Sequence, residues 1–129
     1  MDFDPDGAAD SEAGVFGLPF TEAESALVLV PVPWEVTTSY GGGTSSGPAA
    51  ILEASAQIDL YDDQVRDPWR SGIHMRAESP RVRAWNRKGK AAAQKIIRAG
   101  GVADTPALKK ALAEANRLGG ELNAWVRSE

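Results

Sequence analysis

Cysteine is absent from the 129 residues, and histidine occurs once, at His74. The first absence excludes disulfide scaffolds, thiolate metal sites and cysteine nucleophiles. The second leaves a metal site without paired imidazoles, and no HxxE, HxxxH or DxHxD spacing accompanies His74; it is read as a structural or solvent-exposed side chain. No apolar run approaches the roughly 18 residues that a membrane span needs. The amino terminus is acidic where a secretory signal is basic, so a cytoplasmic protein away from membranes is expected. Positive charge is missing from the whole first half: 12 acidic side chains precede Arg66, the first basic one.

What is present describes a folded chain. With 43% hydrophobic and 25% charged residues, wholesale disorder is excluded, and the length suits one domain. Charge is laid out in blocks. From Arg66 to Arg98 ten basic residues face two acidic ones, and the remaining stretch is balanced. Single-sign blocks of this kind predict pairing within the chain or with neighbours. Residues 1–19 are polar, acidic and glycine-rich and are read as a mobile arm, with Phe16, Leu18 and Phe20 able to dock its end.

The chain is organised around Ala26 to Asp62. Ala26–Val32 is a near-continuous apolar run, which predicts a strand buried on both faces of a parallel sheet and ending near Val32, because Pro31 and Pro33 cannot donate to a ladder. Residues 37–47 are turn chemistry, with Gly41, Gly42 and Gly43 permitting backbone angles denied to other residues. Ser45 or Ser46 as cap and Pro48 in the first turn predict a helix running to about Ala56 or Gln57. Ile58–Tyr61 alternates as a short strand would. A glycine loop ahead of a helix can favour anions, but neither phosphate fingerprint is matched, so no nucleotide site is read here.

Further on, Ile73–Met75 is a candidate short strand. Ser79 and Pro80 open a helix lasting to Ala99, with Val82, Trp85, Ala92 and Ile96 on one face and Gly100–Gly101 as the stop. Its many basic residues are read as a solvated face; with a pI near 5.0, nucleic-acid binding is not expected. Asp104 or Thr105 caps a last helix whose apolar stripe runs from Leu108 to Val126 and is interrupted at Gly119–Gly120.

Residues 30–55 resemble the amino-terminal signature of the ureohydrolase family, the arginases and agmatinases, and the likeness extends over roughly Leu27 to Asp62. Members open with a buried strand ending in a Gly-x-Pro-Phe-Asp-like turn, then a Thr-Ser-Tyr segment, a glycine-rich loop and Gly-Pro-x-x-Ile-Arg-x-Ala-Ser. Here Pro33, Thr38, Ser39, Tyr40, Gly43, Thr44, Gly47, Pro48, Ile51, Ala54 and Ser55 stand at those places. The Thr-Ser-Tyr segment and Asp-Leu-Tyr-Asp at 59–62 bring it nearer to agmatinase-like members. Trp34-Glu35 replaces Phe-Asp, Gly41 replaces a common arginine, and Leu52 replaces the helix arginine.

The resemblance implies a three-layer αβα arginase-like fold with a parallel sheet, of which residues 20–129 would form an incomplete, amino-terminal portion. It implies hydrolysis of a guanidino compound such as agmatine to an amine and urea, with two manganese ions generating the attacking hydroxide, and a homo-oligomer. The family draws its metal ligands from Gly-Gly-Asp-His, Asp-Ala-His-x-Asp and Ser-x-Asp-x-Asp segments. None occurs here. No catalytic or metal residue is therefore assigned in this chain; Trp34, Tyr40 and Gly42 are the substrate-side candidates, on a loop at a pocket rim or subunit contact. Two alternatives stay open: the front of a longer metalloenzyme, or a catalytically inactive product acting as an interaction module.

Overall fold

The computed structural model describes residues 3–5, 7, 13–38 and 40–129. Ser39 and most of the acidic arm lie outside the described residues. The chain divides into two compact units, Met1–Pro31 with Pro48–Ala77 and Val32–Gly47 with Glu78–Glu129. Its class is α/β: strands β1 (Leu27–Leu29) and β2 (Ile73–Met75), and helices α1 (Gly47–Ser55), α2 (Pro80–Arg98) and α3 (Pro106–Ser128). Among the described residues no helix is long and apolar enough to cross a membrane.

In the first unit β1 and β2 pair in parallel, with Leu27 opposite Ile73, Val28 opposite His74 and Leu29 opposite Met75. The strand is shorter than the apolar run predicts, and it is not buried on both faces, since Leu27 is 50% exposed. Ladder donation ceases where Pro31 and Pro33 remove two amides in three residues. At the start of β2, Gly72 is required. Its φ is +76°, and a Cβ there would stand 2.5 Å from the Glu24 carbonyl oxygen.

Packing in this unit centres on Val15, Leu18 and Trp69, all buried. The end of the expected arm is thus seated rather than solvated. The Phe16 amide donates to Ser55 Oγ at 2.9 Å, and that hydroxyl donates onward to the Leu52 carbonyl at 2.7 Å. His74 Nδ1 lies 3.1 Å from the Phe20 carbonyl, which can only accept, so the ring carries its proton there. The histidine is structural.

Ile58–Tyr61 is not a strand. The Asp59 carboxylate accepts from the Tyr61 amide at 2.9 Å, and Asp62 Oδ1 accepts from Gln64 and Val65 at 2.8 and 2.9 Å. The Asp59-led turn takes an amide that a ladder would have used, and a second turn, led by Asp62, follows directly. Those amides, Gln64 first, hold the Asp62 carboxyl below its ordinary range.

The second unit is built on a helical hairpin. Ser79 Oγ accepts from the Val82 amide and Thr105 Oγ1 from the Leu108 amide, with Pro80 and Pro106 in the first turns. After Ala99, Gly100 and Gly101 adopt φ of +93° and +85°. The Gly101 amide returns to the Ile96 carbonyl at 2.9 Å and the Gly100 amide to Ile97 at 3.1 Å, closing a Schellman stop. Ala92, Ile96 and Ala111 form the core between the helices, flanked by Ala103, Leu108 and Ala115. Contrary to the sequence reading, α3 continues through Gly119–Gly120, because Leu118 and Leu122 on either side are buried and hold the turn.

Candidate functional site

The loop that carries the sequence candidates, residues 32–47, belongs to the second unit, and α2 supplies its foundation. The Trp34 amide donates to the Val32 carbonyl at 2.9 Å, a three-residue turn about Pro33. That turn delivers Glu35 and Val36 into buried positions. The Glu35 amide donates to Asn86 Oδ1 at 2.7 Å, and Asn86 is itself buried. One turn further along α2, Gly89 leaves room for Val36: a Cβ on Gly89 would meet Val36 Cγ2 at 2.7 Å and Trp34 Cη2 at 3.5 Å.

Glu35 then reaches across to the far end of the loop. One carboxylate oxygen, Oε2, accepts from the amides of Gly43 and Ser45 at 2.6 and 3.1 Å. The other, Oε1, accepts from Lys90 Nζ. Lys90 above all, and then the Ser45 and Gly43 amides, hold the Glu35 carboxyl down at about 2. Such a group stays ionised at neutral pH and is a poor proton acceptor there. Glu35 is a fastener, not a base.

This corrects the expected helix start. Ser45 and Ser46 do not cap with their side chains; residues Thr44–Ser46 form a 3₁₀ turn ahead of α1, and Gly43 enters it with φ +115°. Two amides at this entrance, those of Gly43 and Ser45, are taken by Glu35. Inside the loop, Thr38 Oγ1 donates to the Gly41 carbonyl at 2.6 Å, and Gly41 itself has φ +67°.

The three candidates fall in different surroundings. Trp34 is half-buried beside Gly89. Gly42 lies over the ion pair, where a Cβ would stand 3.4 Å from Lys90 Nζ. Tyr40 is 101% exposed. The residues that sequence reasoning missed are Glu35, Asn86 and Lys90. Glu35 stands out in the sequence only as a departure from Phe-Asp, and Lys90 as one cation among many. Gly89 was the available signal, since a glycine inside a helical pattern can have a packing reason, here the Val36 side chain.

Among the described residues no group of three or more His, Cys, Asp or Glu side chains could hold a metal ion. The carboxylate best placed at the loop is already saturated by its donors. The described residues therefore do not fit a two-manganese centre.

Over 43 residues the chain is 51% identical to N(1)-aminopropylagmatine ureohydrolase of Synechocystis sp.. That stretch is 33% of this chain and 14% of the relative's length. The likeness supports a ureohydrolase relationship over the matched stretch. No family model matches the chain, and no solved structure matches it.

Proposed function

We propose that this chain contributes the amino-terminal part of an arginase-like αβα fold to an agmatinase-like ureohydrolase. The substrate class is a guanidino compound, agmatine or an N-substituted agmatine, cleaved to an amine and urea. The observation that carries this is the 51% identity over 43 residues. In that enzyme the two manganese ions would supply the hydroxide, with ligands other than the described residues of this chain. No hydrolytic step is assigned to these residues. Their part is to hold the 37–47 loop rigidly through Glu35, so that Trp34, Gly42 and the outstanding Tyr40 form the substrate-side rim.

The test is to isolate the native polypeptide with an antibody to residues 37–55 and measure urea released from agmatine and aminopropylagmatine. Release that stops on chelation and returns with manganese is expected. A native mass of 13.7 kDa with no urea from either compound would end the enzyme reading. A second reading, a non-catalytic interaction module, draws support from the exposed cations of α2.

A further inference from the structure

Helix α2 has one side committed to packing and one side that, among the described residues, makes no ion pair. Val82, Asn86, Gly89, Ala92, Ala93 and Ile96 are buried. At about 3.6 residues per turn they fill one arc of about 120°. The rest of the helix surface carries Arg81, Arg87, Lys88, Lys95 and Arg98, all exposed. Ala84 and Ala91 lie between them, so a partner can come close to the helix there. These cations extend over about 25 Å at a rise of about 1.5 Å per residue.

Two other cations of α2 show what pairing looks like in this unit: Arg83 binds Glu78 and Lys90 binds Glu35. Among the described residues, none of the five on the exposed arc has an ion-pair partner. Arg81 rests over the Trp85 ring at 5.7 Å. Lys88 lies in the field of Glu114, but that carboxylate is already held by Arg117 at 2.9 and 3.0 Å. Lys95 and Arg98, three residues apart, repel each other in the free chain.

The complementary charge is in the same sequence. Before Arg66 stand 12 acidic residues and no basic one. Glu53, Asp59, Asp62 and Asp63 are exposed, and the exposed apolar side chains Ile58, Tyr61 and Val65 alternate with them. On α2 the exposed Ile97 borders the cations in the same way. Net charge of −4 and a pI of about 5.0 set the whole molecule against a nucleic-acid backbone.

We propose that the exposed cationic face of α2 docks on the acidic 53–63 stretch of a second copy of this chain. The two patches are different surfaces, so the contact is heterologous and association continues past a dimer unless the rotation closes a ring. The inference does not depend on the ureohydrolase reading.

Sedimentation velocity of the intact chain tests it. At low salt the mass is expected to exceed 13.7 kDa and grow with concentration, and to fall to that of the monomer near about 0.5 M salt. The pair Lys88→Glu with Lys95→Glu is expected to be monomeric at low salt with an unchanged circular dichroism spectrum, as is Glu53→Lys with Asp63→Lys. Mixing the two reversed proteins is expected to restore assembly, which a folding defect could not do. A monomer at low salt, a wild-type mass in either reversed protein, or a monomer that instead retains duplex DNA overturns the proposal.

Discussion

Lys90 donates to the carboxylate of Glu35 from 55 residues further along the chain, and the same carboxylate collects the amides of Gly43 and Ser45. One buried side chain thus ties both ends of a glycine loop to a helix. The link acts together with the loop's own features, the Thr38 bond to the Gly41 carbonyl and the positive φ of Gly41 and Gly43.

Replacing Glu35 by Gln tests the link. The amide side chain cannot satisfy a lysine and two backbone donors as a carboxylate does. Hydrogen exchange at Gly43 and Ser45 is expected to rise by about tenfold or more, since each loses an acceptor. Unchanged protection at both amides would show that the loop stands without Glu35.

The same group sets a pH dependence. Its carboxyl is lowered from 4.5 to about 2 by Lys90 first and then the two amides. The unfolded chain therefore takes up its proton at a higher pH than the folded one. The contribution of Glu35 to stability is complete above about 4.5 and is lost as pH falls toward 2. Other carboxyls titrate in that window, so the measurement is the difference in urea midpoint between wild type and Glu35→Gln. It is expected to be positive at pH 7 and to shrink to nothing near pH 2; a constant difference would sever it from the ionisation.

Asn86 anchors the near end of the loop by accepting from the Glu35 amide. Asn86→Leu keeps the number and branching of the side-chain heavy atoms and removes the acceptor, leaving a buried N–H without a partner. A loss of about 1–3 kcal/mol in denaturant titration is expected. A neutral result would mean that water or a shifted carbonyl takes over the amide.

Gly89 has two opposed effects to weigh. In an open helix Gly→Ala stabilises by about 0.5–1 kcal/mol. Here the new methyl would lie 2.7 Å from Val36 Cγ2, and overpacking costs about 1–3 kcal/mol. The clash wins, so Gly89→Ala is expected to destabilise. In a Val36→Ala background the same change is expected to become neutral or favourable, and strict additivity of the two would refute the contact.

Much of the hairpin was legible in the sequence, because its signals are local. Ser79-Pro80 and Thr105-Pro106 open the helices, and Gly100-Gly101 closes α2, each through bonds made within a few residues. The errors arose where a competing bond or distant packing decided. Asp59 captured the Tyr61 amide and removed a strand from Ile58–Tyr61. Glu35 takes the Ser45 amide from ten residues away, where a Ser45 or Ser46 side-chain cap was expected, and is itself held by Lys90. No spacing rule links residues 35, 86 and 90, so only the fold could bring them together.

Gly119 and Gly120 interrupt the apolar stripe in the sequence, yet α3 passes through them. A Cβ on either would meet nothing within 4 Å. Neither glycine therefore serves a close approach, and both carry only the entropy they lose on folding. Alanine at each is expected to add about 0.5–1 kcal/mol, roughly additive because neither methyl has a shared neighbour. Thermal unfolding of the two single variants and the double variant measures this. A loss of stability in the double variant would mean that the glycines bend α3 or admit a partner there, and the continuous helix would have to be reconsidered.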